Sequence, residues 1–198
     1  MAYIVVLCAL ISFLTVLILT PRLIKYLKRI GLEVKDMNKE KKPLVPISGG
    51  LGVVAGVIAG LLLFVFFGTF FPDYTELMLD KDSLNLLFAG LISILIITLV
   101  GFIDDLIINY SKDGSIGLKQ LQKPLLTAVA AVPLMVVGAG FTEMNFPFIE
   151  DVNFGILYPL LLIPIGVVGA SNMVNLLAGF NGLESGMGII YTGMLALY

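Results

Sequence analysis

The chain has 198 residues, 59% of them hydrophobic and 13% charged, with a net charge of −2 and a mean hydropathy of +1.04. Charged residues alone make up about a quarter of a soluble domain, so this composition excludes one and describes an integral membrane protein. The absence of His and the lone Cys8 exclude an internal disulfide and any His- or Cys-built metal site, and the few, segregated charges leave no basic footprint for nucleic acid.

Crossing about 30 Å of hydrocarbon takes roughly 20 helical residues. Apolar runs of about that length are predicted as spans at residues 3–19, 49–71, 84–103, 124–141 and 154–170. A sixth opens near Met187 and has too few residues before Tyr198 to cross, so the chain reads as the N-terminal portion of a longer protein. The first run has no basic leader and is followed by Pro21 and Arg22 in place of a small-residue cleavage site, which makes it a retained span and not a signal peptide. The runs are continuously apolar without a period of two, which favours helices over barrel strands. The expected fold is therefore an all-α, polytopic transmembrane helical bundle, five complete spans and a shortened sixth, forming one membrane domain over residues 1–198.

The connecting loops alternate in charge. The first carries Arg22, Lys25, Lys28, Arg29, Lys35, Lys39, Lys41 and Lys42, and the third Lys112, Lys119 and Lys123; the second and fourth are acidic, with Lys81 their only base. The positive-inside rule makes the basic side cytoplasmic and leaves the N-terminus outside. Loops at about 21–48, 104–123 and 171–186 then share the cytoplasmic face, and each holds a polar cluster.

"GFIDDL" ends the third run in two adjacent carboxylates, Asp104 and Asp105. Either would cost about 2.5–3.5 kcal/mol at the centre of a span, and at a helix C-terminus both would oppose the macrodipole. A cation relieves both penalties, and Mg²⁺, which takes one or two carboxylates together with phosphate oxygens, suits such a pair. The plainer alternative is that the pair merely marks the interfacial end of a span. After the fifth run, "NMVNLLAGFNGLESG" places Asn172 and Asn175 three apart, on one face if the helix persists there. Gly179, Gly182 and Gly186 follow, allowing the close backbone approach that phosphate- or base-binding loops use. Asparagine amides offer an oxygen to a hard metal or a donor–acceptor pair to a base edge. Lys119 and Lys123 stand one helical turn apart, as phosphate grips or as ordinary membrane-surface anchors.

Taken together these clusters resemble the polyprenyl-phosphate N-acetylhexosamine-1-phosphate transferases, glycosyltransferase family 4. The most specific part is "NMVNLLAGFNGLESG", which is similar to the eukaryotic and archaeal branch, with Ala178 and Asn181 where bacterial members usually carry aspartates. "DMNK" from Asp36 with the P-x-S-G-G run from Pro46 resembles the first cytoplasmic loop of that branch, and "GFIDDL" with "GLKQLQK" resembles the second. Pro46 is followed by Ile47 where eukaryotic members have an acidic residue, a departure from the pattern within that loop.

The resemblance implies transfer of a sugar phosphate, most simply GlcNAc 1-phosphate, from a UDP-sugar to an isoprenoid phosphate lipid, with UMP leaving and Mg²⁺ required (Mn²⁺ as a substitute). It implies a catalytic set of Asp104, Asp105 and Lys123, and metal ligation by Asn175 with Asp104 and Asp105. Substrate contacts would come from Asn38, Lys39, Lys119, Asn172 and Glu184, with Gly179 and Asn181 against the uracil. The active face would be cytoplasmic, in an archaeal or bacterial cell membrane, with the endoplasmic reticulum as the alternative; a homodimer is compatible with it. Because further metal and donor ligands of such enzymes come from later loops, the 198 residues alone are expected to be inactive. The alternatives from other classes are an ion-coupled transporter, which calls for polar residues at mid-span where this chain has only scattered Ser and Thr, and a non-catalytic membrane subunit, which leaves the three polar clusters unexplained.

Overall fold

The structure, a computed structural model, describes residues 2–36, 38–72, 79–110, 117–146, 149–177 and 182–197. Helix α1 (Ala2–Arg29) leads through a small hairpin, β1 (Glu33–Lys35) and β2 (Leu44–Pro46), into α2 (Gly50–Phe70). Then come α3 (Lys81–Tyr110), the short helices α4 (Gln122–Val129) and α5 (Val132–Val136), and a second hairpin, β3 (Glu143–Phe146) and β4 (Ile149–Asn153). A π-helical turn (Tyr158–Leu162) runs directly into α6 (Ile163–Leu177), and α7 (Leu183–Leu197) follows. The two hairpins are the only strands among the described residues, so the chain is a helical membrane bundle. Tyr3–Arg29, Gly50–Phe70, Lys81–Asn109 and Tyr158–Leu176 are long and apolar enough to cross a membrane. Their large apolar side chains, such as Phe13 and Leu99, lie mostly exposed, as expected of helices whose solvent is hydrocarbon.

Helices α1 and α2 pack through a stripe of small residues. Gly52, Gly56 and Gly60 repeat every four residues and are all buried. A Cβ on Gly56 would overlap Val16 and lie 2.9 Å from the Ser12 carbonyl oxygen, and one on Gly60 would lie 3.1 Å from the Cys8 carbonyl oxygen. In a membrane, where neighbouring helices gain little from the hydrophobic effect, such close backbone approach is a main source of association. Ile4 and Cys8 are buried here against Leu63, Phe64 and Phe67.

The end of α1 sets up the first hairpin. Gly31, at φ 72°, takes the left-handed conformation. The Gly31 amide donates to the Lys28 carbonyl at 3.1 Å and the Leu32 amide to the Leu27 carbonyl at 3.0 Å, a Schellman motif. Leu27 and Leu32, its apolar partners, are 3% and 1% exposed. Held this way, β1 pairs antiparallel with β2, Val34 opposite Val45, and the chain is returned to the start of α2 at Ser48.

Four elements differ from the sequence expectation. The first and third helices outlast their apolar runs: α1 continues past Pro21 to Arg29, and α3 continues past the aspartate pair to Tyr110. Asp104 and Asp105 are thus more than a turn inside a helix and do not stand at its C-terminus. The region expected as a fourth span is two helices within Gln122–Val136, shorter than a span. Pro133 accounts for the break, since its ring would clash with the Val129 carbonyl, four residues back and the last of α4. The fifth run is helical over 158–177, opening with a π-turn in which the Ile163 amide donates to the Tyr158 carbonyl, five residues back. Pro159 lies in the first positions of this turn and Pro164 just after it, each lacking an amide donor.

Candidate active site

The aspartate pair lies in α3, whose start is fixed by Asp80. Its carboxylate accepts from the Ser83 amide at 3.0 Å, a helix N-cap. The Ser83 hydroxyl and amide hold the Asp80 carboxyl below the usual range. Along α3 the two aspartates meet different partners. Asp104 Oδ2 forms an ion pair with Lys123 Nζ at 2.7 Å, and its Oδ1 accepts from the Leu118 amide at 2.6 Å. Gly117 makes this possible, because a Cβ there would overlap the Asp104 carboxylate. Asp105 Oδ2 accepts from the Ser48 hydroxyl at 2.7 Å, and Asp105 forms no ion pair among the described residues. One carboxylate therefore holds Lys123 in a direct ion pair, and its neighbour feels that lysine only at longer range.

Ser48 is delivered by the first hairpin. It is 8% exposed and sits at φ 65°, rare for a residue with a side chain. Strain of this kind persists where surrounding contacts impose it, and here the 2.7 Å bond to Asp105 is one such contact. Helix α4 supplies Lys123, and its start is fixed by Gln122 Oε1, which accepts from the Lys119 amide at 2.9 Å. Helix α6 brings Asn172 and Asn175; the helix does persist through both, as a shared face requires. Asn172 Nδ2 donates to Thr127 Oγ1 of α4 at 3.0 Å and to the Val168 carbonyl at 2.9 Å.

These groups surround one cavity of about 650 Å³. Asp104, Asp105, Lys123, Asn172, Asn175 and Glu184 line its polar part, with Ser48 and Thr127 between them. Val53 and Val54 of α2 and Ile97, Val100 and Phe102 of α3 line its apolar part. A charged end continuous with an apolar wall between membrane-spanning helices is a shape that can take an amphiphile, with its headgroup at the ions and its chain along the helices.

The sequence profile of glycosyl transferase family 4 matches residues 87–198, more than half of the chain. The chain belongs to glycosyl transferase family 4. A protein of Saccharolobus solfataricus, provisionally named UDP-N-acetylglucosamine–dolichyl-phosphate N-acetylglucosaminephosphotransferase, is 35% identical over 94% of this chain and 52% of its own length. The Schizosaccharomyces pombe protein of that name is 26% identical over 86% of this chain and 42% of its own. The phospho-N-acetylmuramoyl-pentapeptide-transferase of Staphylococcus epidermidis is 30% identical over 96% of this chain and 58% of its own. The chain thus spans about half the length of the curated relatives it matches.

Within this family member, the residues expected from sequence divide into three groups. Asp104, Asp105, Lys123, Asn172, Asn175 and Glu184 come together around the cavity. Asn38 and Lys39 do not line it: they sit at the tip of the first hairpin, where the Asn38 amide donates to Asp36 Oδ1 at 3.1 Å and Lys39 pairs with Asp36 at 3.3 Å. Lys119 is likewise exposed and outside the cavity wall. Gly179 and Asn181 lie outside the described residues. Sequence reasoning missed two hydroxyls, Ser48 and Thr127. The P-x-S-G-G run contains the first; the second had no signal beyond standing one turn after Lys123.

Proposed function

We propose that this protein transfers N-acetylglucosamine 1-phosphate from UDP-GlcNAc to a polyprenyl or dolichyl phosphate, releasing UMP, on the cytoplasmic face of a cell membrane. The observation that carries the reading is the cavity in which an Asp–Lys ion pair, a second aspartate and two asparagines adjoin an apolar wall. The names of the relatives point to the same nucleotide-sugar and lipid-phosphate chemistry. Nothing in the cavity favours the transporter alternative.

Phosphoryl transfer between two anions needs charge neutralisation and alignment more than covalent help. Lys123, oriented by Asp104, would neutralise a phosphate entering the polar end. Asp105, held by Ser48 and in no direct ion pair among the described residues, is the carboxylate left to take up a proton from the acceptor phosphate or to meet a cation. No cluster of three or more His, Cys, Asp or Glu forms a cage among the described residues. That fits Mg²⁺, which commonly takes one or two carboxylates and fills its sphere with phosphate and water. Asp105 and Asn175 would hold it, and when bound the ion would offset charge on the phosphates. Asp104, engaged by Lys123 and Leu118, is assigned to positioning and not to the metal. Glu184 is the only other carboxylate lining the cavity, among the described residues. With so few donors, the 198 residues assayed alone are proposed to release no UMP.

The test is incubation of membranes carrying the protein in its native full-length form with radiolabelled UDP-GlcNAc, isoprenoid phosphate and Mg²⁺. Label is expected in the lipid extract and UMP in the aqueous phase, both abolished by EDTA. Absence of a lipid-extractable product with this donor, when another UDP-sugar gives one, would reassign the sugar; absence with all donors would overturn the reading.

A further inference from the structure

The buried hydroxyl of Thr127 joins two walls of the cavity. Its residue is 6% exposed, and its Oγ1 lies 2.9 Å from the Lys123 carbonyl and 3.1 Å from that of Pro124. A threonine in a helix commonly gives its proton to the carbonyl a turn back, which leaves the oxygen lone pairs to face α6. There the Asn172 Nδ2 donates, at 3.0 Å.

The second Asn172 bond fixes the sense of this contact. Its Nδ2 also donates to the Val168 carbonyl at 2.9 Å. Were the amide turned over, its oxygen would face that carbonyl at the same distance, acceptor against acceptor. Ser171 Oγ, also on α6, lies at a longer 3.4 Å from the same nitrogen; with the amide hydrogens committed to α6 and to Thr127, the carbonyl oxygen is the polar atom of Asn172 left for a ligand in the cavity it lines.

We propose that Thr127 is a positioning residue: its hydroxyl locks the Asn172 amide with its carbonyl oxygen reserved for the cavity ligand, and ties α6 to the helix that carries Lys123. A side chain without an acceptor at this place leaves that Asn172 hydrogen only the longer contact to Ser171 Oγ, at 3.4 Å, so the amide turns among orientations and only some of them present oxygen. The effect on turnover rests on the sugar-phosphate transfer reading; the effect on Asn172 does not.

The experiment compares Thr127→Val, which keeps the shape and loses the hydroxyl, with Thr127→Ser, which keeps the hydroxyl, and Thr127→Ala. In ¹⁵N-asparagine-labelled protein in lipid nanodiscs, the Asn172 side-chain amide is assigned by its loss in Asn172→Ala. Its hydrogen exchange is expected to be slow in the wild type and Thr127→Ser, and at least about tenfold faster in Thr127→Val and Thr127→Ala. Equal exchange in wild type and in whichever hydroxyl-free variant folds overturns the proposal. In the native full-length protein, UMP release from UDP-GlcNAc and isoprenoid phosphate is expected to fall about tenfold in Thr127→Val, to recover in Thr127→Ser, and to change less than about twofold when Thr127→Val is added to Asn172→Ala. Additive losses in that double variant would overturn the action through Asn172. A full-length wild type that exchanges slowly at Asn172 and releases no UMP from any UDP-sugar would overturn the transfer reading and leave the Thr127 proposal standing.

Discussion

At Asp104 and Asp105, neighbours in sequence have unlike surroundings, and the difference predicts how they respond to substitution. Asp104→Asn removes the partner of Lys123, so its loss of turnover should overlap that of Lys123→Ala, and the double variant should be little worse than either single one. Asp105→Asn removes a carboxylate whose hydrogen bond is to Ser48 and which meets Lys123 only through space, so its loss should overlap that of Lys123→Ala less than the loss in Asp104→Asn does. Each aspartate variant is expected to lower UMP release by about 10²–10⁴-fold; wild-type turnover in both would reduce the pair to a marker of the membrane surface. Lys123→Ala should cost far more than Lys119→Ala, because only Lys123 reaches the cavity. Equal, small losses in side-by-side assays would make both lysines surface anchors. The charged members of the site were legible in the sequence because a carboxylate or lysine beside an apolar run is anomalous on energetic grounds. Ser48 and Thr127 were not, since a hydroxyl bonded to a nearby carbonyl or carboxylate carries no such anomaly and is told apart only by where it points.

Among the helices, hydropathy located apolar runs well and helix ends poorly. For α2 the two agree, because Gly49–Gly50 and Phe70–Phe71 bound both the apolar run and the hydrogen-bonded ladder. For α1 and α3 they part, because charged residues end an apolar run without ending a helix whose next turn lies in water or in protein. At 122–136 composition stayed apolar while Pro133 broke the backbone, a case in which one ring outweighs the pattern. The packing of α1 on α2 rests on a narrower feature, the Gly52–Gly56–Gly60 stripe. Gly56→Leu should force the helices apart, with Ser12 and Val16 already in the way of its Cβ. A loss of about 1–3 kcal/mol is expected, the usual cost of overpacking. Gly90→Ala in α3, where a Cβ meets nothing within 4 Å, should leave stability unchanged or slightly raised. Thermal unfolding of the two variants in one detergent decides it, and equal midpoints would remove the stripe from the account of how α1 and α2 associate.

For the whole molecule, the cavity constrains topology more firmly than a count of spans does. Ser48 precedes α2, Asp104 and Asp105 lie near the end of α3, and Asn172 and Asn175 lie near the end of α6, yet all line one cavity. The start of α2, the end of α3 and the end of α6 therefore lie at the same side of the membrane, whether or not the broken segment 122–136 crosses it alone. Asp80, at the opposite end of α3 some thirty residues of helix away, should lie at the other side. The basic residues cluster with the cavity side, in the first loop and around Lys119 and Lys123, and from the positive-inside rule we propose that this side is cytoplasmic. Single cysteines introduced at Lys41, Ser185 and Asp80 test both steps, with native Cys8 a small background because it is buried against α2. In intact cells a membrane-impermeant thiol reagent should label Asp80→Cys and spare Lys41→Cys and Ser185→Cys, and permeabilised cells should label all three. The reverse pattern would keep the assembled cavity and turn it to the outside, away from cytoplasmic nucleotide sugars. Labelling that differed between Lys41→Cys and Ser185→Cys would separate the walls of the cavity across the bilayer and dismantle the site itself.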